Sequence, residues 1–324
     1  MDHADTTYTH CIANGIRKGW SGFVWVLQIL VPVSFLTVLL DYSGWINSID
    51  FLLEPVMGLL RLPPMAAFPL VVGVLTGIYG GIASMTALPL SNGQMTLIAV
   101  FLLISHNLIQ EGIIQAKSGS TFLKTTVFRL AASVITVSAI APFLDGEPVV
   151  IISEKLFSPA SHTFTAVLKS WGASTLYLCA KIFAIIMVIM ILLETMKRYN
   201  VVDRIVGVLT PFLKIMGLDR QVGILWLTAA VFGIAYGGAV IVEETKQGSF
   251  TREELEKLHL SIGINHAVFE DPALFLALGL GSFWLWIPRF ITAIIAVHLY
   301  NLITKMNMFS KPSTPLPVSK NKSS

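Results

Sequence analysis

Ser105-His106-Asn107-Leu108-Ile109-Gln110-Glu111 and Asn265-His266-Ala267-Val268-Phe269-Glu270-Asp271 are two polar stretches set inside otherwise apolar sequence. Each holds a histidine, an asparagine beside it and an acidic residue five positions after the histidine. Each sits where a membrane helix would otherwise be plain hydrocarbon. Ionisable groups at that depth are costly, and the default reading of them is functional. Their surroundings decide the fold class. The chain has 324 residues, of which 54% are hydrophobic and only 13% charged, with a mean hydropathy of +0.74. Soluble domains carry about 25% charged residues, so this deficit points to an integral membrane protein.

Outward from the two stretches, apolar runs recur along the whole chain. Those at 22–40, 66–89, 95–115, 122–143, 172–194, 222–242, 257–280 and 283–304 are each long enough to cross about 30 Å of hydrocarbon. Two shorter runs, 45–60 and 201–216, read as short crossings, re-entrant pieces or interfacial helices. The prediction is an all-α polytopic protein of about eight to ten transmembrane or re-entrant helices. Residues 1–15 read as a polar N-terminal tail and 145–170 as a linker with a short surface helix. The Lys-, Ser- and Pro-rich segment 306–324 reads as a disordered tail. No small-residue cleavage site follows the first apolar run, which reads as a retained span rather than a signal peptide.

Internal matching divides the chain into halves, 16–144 and 171–305. Trp20 matches Trp171, Pro55 matches Pro211, and Tyr79-Gly80-Gly81 matches Tyr236-Gly237-Gly238. His106, Glu111 and Arg129 match His266, Asp271 and Arg289, all 160 residues apart. Five apolar segments per half, an odd number, turn the second half upside down relative to the first. With the N-terminus inside, twelve Lys and Arg residues fall in inside loops and four (Lys155, Lys169, Lys214 and Arg220) in outside loops. That is the sense the positive-inside rule requires. It predicts a multi-pass protein of the bacterial inner (plasma) membrane with both termini cytoplasmic. Inverted repeats with glycine-interrupted spans are a transporter pattern, with the site at the repeat interface.

The candidate binding residues follow from these matches. Helical spacing would align His106 with Gln110, Asn107 with Glu111 and His266 with Glu270, and set Asp271 one residue round. Pro272 cannot donate a backbone hydrogen bond, so the second helix should kink at Asp271-Pro272 and free carbonyls there. The alternative for these groups is interhelical hydrogen bonding that holds the halves together. Tyr79, Gly80, Gly81, Tyr236, Gly237 and Gly238 mark either a broken helix open to substrate or close packing of small residues. Arg129 and Arg289 are expected to form structural ion pairs with acids such as Glu111 or Asp271. Lys181 reads as snorkelling or locally paired, Glu243-Glu244 as a loop edge, and His259 and His298 as residues near helix ends outside the site.

The glycine-rich spans Gly77-Ile78-Tyr79-Gly80-Gly81 and Gly233-Ile234-Ala235-Tyr236-Gly237-Gly238, each followed by a polar helix, resemble the nucleoside-recognition or Gate domain family. The resemblance covers most of residues 15–305 as two Gate-like halves. That family includes the spore maturation membrane proteins and the membrane gate of the ferrous-iron transporter B, and it is distantly similar to concentrative nucleoside transporters. There is no GTPase domain in this sequence, so ferrous-iron transport of that type is not the expectation. The two cysteines, Cys11 and Cys179, lie outside the duplicated motifs, so no thiolate metal site is expected within them.

No phosphate loop, nucleophile elbow or zinc-protease helix is present, and the chain is expected not to be an enzyme and to need no cofactor. The net charge of +3 suggests no nucleic-acid partner. The expected function is a transporter or permease for a small polar solute or ion, with a nucleoside-like compound or a divalent metal both compatible with the residues. A metal ligand set is left undefined. Membrane lipid is the other expected partner, and a homo- or hetero-oligomer is left open. The alternative is a non-transporting assembly or signalling protein built on a Gate-type fold.

Overall fold

The computed structural model describes residues 2–45, 50–144, 163–199, 211–246 and 250–310, and every regular element among them is helical. The helices are α1 (Asp2–Tyr42), α2 (Asp50–Leu59), α3 (Ala67–Thr76), α4 (Ile78–Met85), α5 (Asn92–Ser105), α6 (Leu108–Lys117), α7 (Phe122–Leu144), α8 (Phe164–Arg198), α9 (Arg220–Lys246), α10 (Arg252–Ile264), α11 (Glu270–Leu276) and α12 (Ser282–Ser310). Five stretches are long and apolar enough to cross a membrane: Ile12–Tyr42, Asn92–Lys117, Phe122–Leu144, Phe164–Met196 and Ser282–Met306. Their outer faces are apolar; Leu123, Phe143 and Leu176 are each more than 70% exposed. Two of the charged side chains are inside, Arg129 and Arg289 at 1% exposure. A protein in water would not leave so much hydrocarbon outside; lipid accepts it and forces polar groups inward.

Helices α1 and α8 pack antiparallel. Gly15 and Gly19 let α1 approach Ile191 and Met187, because a β-carbon on either glycine would lie under 3.0 Å from those residues. This close approach through small residues is how membrane helices gain packing without a hydrophobic drive between them. Trp171 Nε1 donates to Ser34 Oγ at 3.2 Å near one end, and Lys18 pairs with Glu194 at 2.7 Å near the other.

Two spans expected to cross do not run straight. Positions eight apart on a continuous helix are about 12 Å apart. Yet a β-carbon on Gly81 would sit 3.4 Å from Gly73 Cα, and one on Gly237 only 2.5 Å from Ala229 Cα. The chain therefore folds back at Gly77 (φ 99°) between α3 and α4, and at Gly233 (φ 78°) inside α9. Both apices adopt backbone angles that side-chain-bearing residues rarely reach. Segments 66–89 and 222–242 are thus helical hairpins, a correction to the single spans expected. The break falls at Gly77 and Gly233, ahead of the Tyr-Gly-Gly triplets, which are helical.

The turn before each hairpin is also repeated. Leu62 N donates to Met57 O at 3.0 Å and Leu218 N to Leu213 O at 2.9 Å, across Arg61 and Gly217, both with positive φ. Helix α2 and the Pro64–Thr76 stretch are bent by 83°, so 45–60 and 66–76 are not one straight crossing.

The chain ends are more helical than expected. Helix α1 begins at Asp2, so the polar segment extends the first span. Residues 164–170, assigned to the linker, are the first turns of α8. Helix α12 runs to Ser310. The rest of the linker (145–162), most of the short segment 201–216 (201–210) and the tail beyond 310 lie outside the described residues.

Candidate functional site

Each polar stretch is the break in a helix. Helix α5 ends at Ser105; His106 is extended (φ −73°, ψ 157°), Asn107 is left-handed (φ 48°, ψ 40°), and α6 resumes at Leu108. Asparagine is among the few residues that visit this conformation routinely. Helix α10 ends at Ile264, Ala267 is left-handed (φ 44°), and α11 begins at Glu270. The helical alignment expected for His106 with Gln110, and for Asn107 with Glu111, is therefore replaced by a non-helical corner. The expected kink at Asp271-Pro272 also moves: the break precedes it, and Pro272 sits in the first turn of α11, where a missing N–H costs little.

The hairpins hold both breaks. Asn107 N donates to Gly73 O at 3.0 Å, and Ala267 N donates to Ala229 O at 3.2 Å, so equivalent hairpin legs accept equivalent amides. Two buried arginines satisfy the carbonyls that the breaks release. Arg129 Nε donates to Ile104 O (2.7 Å) and its Nη2 to His106 O (3.0 Å). Arg289 Nε donates to Ile264 O (3.1 Å) and its Nη2 to His266 O (3.1 Å). Five fork-like N–H donors on one rigid plane suit this task; a lysine ammonium does not. Arg129 also lies 2.7 Å from Glu111, an ion pair as expected. For Arg289 the described partners are backbone carbonyls rather than the acid expected.

These frames bring the two histidines together. Their Nε2 atoms are 3.5 Å apart and the ring centroids 4.9 Å apart, although the residues are separated by 160 positions. His106 Nδ1 lies 2.8 Å from Leu102 O and His266 Nδ1 lies 2.9 Å from Ile262 O. A carbonyl only accepts, so in the neutral ring Nδ1 carries the proton and Nε2 presents its lone pair to the cluster. Glu111 lies between the rings, Oε1 at 3.2 Å from His106 Nε2 and Oε2 at 3.3 Å from His266 Nε2. Asp271 Oδ2 is 3.6 Å from His106 Nε2, too far for a hydrogen bond, and has no hydrogen-bond partner. His106, His266, Glu111 and Asp271 are all less than 10% exposed.

The other candidates divide. Tyr79 reaches the cluster's edge: its hydroxyl donates to Glu270 Oε1 at 3.1 Å, joining α4 to α11. Asn265 is buried and its Nδ2 points to Arg289 O at 3.5 Å, matching Ser105 Oγ, which donates to Arg129 O at 2.8 Å. Asn107 Nδ2 donates to Gln110 Oε1 in an exposed pair, away from the histidines. Gly80, Gly81, Gly237 and Gly238 act in packing: a β-carbon on Gly81 would meet Leu102 at 2.3 Å, and one on Gly238 would meet Ile114 at 2.2 Å. The side chain of Tyr236 lies outside the described residues.

Lys181 meets no acid among the described residues. It donates to Ala277 O, the C-cap of α11, at 3.0 Å, beside the Tyr177 ring. His259 is buried against Ser118 O (2.9 Å) and His298 caps Ile215 O (2.9 Å), both outside the cluster.

Sequence reading missed the carbonyls of Gly73 and Ala229, because a backbone acceptor has no residue signature. It also missed the capping box at Ser91 and Gln94, repeated at Thr251 and Glu254. That signal was present as S/T-x-x-E/Q, 160 residues apart.

Fold and site together define a multi-pass α-helical membrane protein with a buried ionisable cluster where two broken helices meet. The chain is similar to the "Uncharacterized membrane protein YvoD" of Bacillus subtilis (strain 168), 28% identical over 292 residues, which cover 88% of this chain and 90% of that one. No family model and no solved structure matches it.

Proposed function

We propose that this protein is a transporter or permease that moves a small polar solute or ion through a site between two inverted halves. The observation that carries the reading is the meeting of His106 and His266 at two helix breaks with the same local geometry. Broken helices that face each other across a repeat interface place binding groups where the membrane otherwise forbids them.

Hairpins also sharpen the inverted arrangement. If the hairpins at Gly77 and Gly233 return to the side they enter from, and the short segments 45–60 and 201–216 do not cross, each half crosses three times: α1, α5–α6 and α7, then α8, α10–α11 and α12. Three is odd, so the halves remain inverted. Arg61 then moves to the outside, and Lys214 and Arg220 to the inside. The Lys and Arg balance becomes thirteen inside against three outside, stronger than straight spans give. Both termini are cytoplasmic in this arrangement, in a bacterial plasma membrane. A nucleoside-like solute and a divalent metal are the substrate classes the residues suit.

A thermal-shift screen of the purified protein against nucleosides, organic acids and divalent metals selects the ligand, and proteoliposomes then report its uptake. The His106→Ala/His266→Ala double variant should lose uptake while remaining folded in the membrane; undiminished uptake by that variant would sink the reading. A second reading, a non-transporting assembly or signalling protein, draws on the packing of the glycine triplets. It requires the same alanines to lower the melting temperature while no ligand raises that of the wild type.

A further inference from the structure

We infer that the cluster is a binding site for one borderline divalent first-row metal ion such as Zn²⁺, held by His106 Nε2, His266 Nε2 and a carboxylate oxygen of Asp271, with Glu111 as the fourth group. The inference rests on the reading of this cluster as a binding site, and not on transport itself.

Spacing is the first argument. Metal–ligand bonds of 2.0–2.1 Å set at tetrahedral angles put donor atoms about 3.3–3.4 Å from one another. The donor separations here are 3.5 Å between the two Nε2 atoms, 3.6 Å from His106 Nε2 to Asp271 Oδ2, and 3.2 Å from His106 Nε2 to Glu111 Oε1, the other Glu111 oxygen lying 3.3 Å from His266 Nε2. Ligand atoms of His106, His266 and Asp271 all lie within 4.8 Å of one another.

Ring orientation is the second. Histidine ligands of metals almost always give their other ring N–H to a carbonyl or carboxylate, which fixes the tautomer. Leu102 O and Ile262 O do this for both rings. The result is two imidazole lone pairs facing each other with no donor between them, an arrangement that a cation relieves.

The third is an orphan. Asp271 Oδ2 is buried with no hydrogen-bond partner, and a buried carboxylate oxygen left so is costly. Formal charge points the same way: the carboxylates of Glu111, Glu270 and Asp271 outnumber the guanidiniums of Arg129 and Arg289, leaving room for a cation. Two imidazoles with carboxylates suit zinc and its first-row neighbours; magnesium and calcium take all-oxygen shells.

The test uses untagged, full-length protein in detergent, freed of metal and titrated with Zn²⁺, with Co²⁺ as the spectroscopic probe of coordination. One Zn²⁺ per chain should bind, with Mg²⁺ failing to compete, and Co²⁺ should give the visible bands of a four-coordinate nitrogen–oxygen site. Asp271→Asn, which keeps shape, and His266→Ala should each weaken binding at least tenfold, and His298→Ala should leave it unchanged. Absence of a stoichiometric site in the folded wild type, or equal binding by Asp271→Asn and the wild type, overturns the inference. Binding without any uptake in proteoliposomes upholds the metal site and removes the transport reading. Uptake of another solute by protein that binds no metal does the reverse.

Discussion

Arg129 and Arg289 do more for this structure than their number suggests. Each reaches from a neighbouring helix and closes two carbonyls that a helix break leaves open, and Arg129 also meets Glu111. Removing one partner of a buried charged set leaves the others exposed to a medium that cannot solvate them. Arg129→Ala should therefore cost about 3–5 kcal/mol, read as a lower midpoint of thermal or denaturant unfolding in detergent. Arg129→Lys should recover little of it, because a point charge cannot address two carbonyls and a carboxylate at once. A lysine variant as stable as the wild type would show that charge alone suffices. The sequence places both arginines at matched positions and suggests ion pairing; it cannot show their carbonyl partners, since backbone acceptors exist only once the helices break. The histidines were legible as candidates for the same reason that they are costly in an apolar run. Gln110 was not separable from them, because the helical spacing that pairs it with His106 is lost at the Asn107 corner.

At the scale of the element, the glycine-rich segments are the hardest to read. Their repeated Tyr-Gly-Gly triplets draw attention, but the reversals occur at Gly77 and Gly233; within the triplets Gly80, Gly81 and Gly237 come close to the opposite leg, whereas Gly238 faces Ile114 of α6. A helix of 27 residues such as α9 has the length and composition of a crossing. Nothing in its periodicity distinguishes that from two short legs packed together, because both legs are apolar on every side. Packing of the legs gives a graded prediction. A β-carbon on Gly237 would lie 2.5 Å from the backbone Cα of Ala229, which cannot yield as a side chain can. Gly237→Ala should destabilise by about 1–3 kcal/mol. Gly172 in α8 has nothing within 4 Å of such a carbon, and Gly172→Ala should be neutral or up to about 1 kcal/mol stabilising through helix propensity. Unfolding midpoints of the two variants against the wild type check both, and equal midpoints would remove the hairpin contact from the account.

For the molecule as a whole, two helix breaks with the same local geometry meet, and the proposal is that they belong to one unit used twice in opposite orientation. The composition makes the membrane class plain, and the offset of 160 residues makes the matched positions of His106 and His266 visible. Orientation was harder, because Lys214 and Arg220 fall on the wrong side if segments 66–89 and 222–242 cross. With those segments folded back at glycine and the short segments 45–60 and 201–216 not crossing, Lys214 and Arg220 move to the inside, the side the charge rule favours, while Arg61 moves outside. Arg61 and Lys214 stand at the turns that lead into the two hairpins, and both are exposed. The most direct measurement is therefore labelling of Arg61→Cys and Lys214→Cys, each in a background lacking Cys11 and Cys179, with a membrane-impermeant maleimide on intact cells. The account predicts that Arg61→Cys labels from outside and that Lys214→Cys labels only after the membrane is permeabilised. Labelling of both positions from the same side would contradict it.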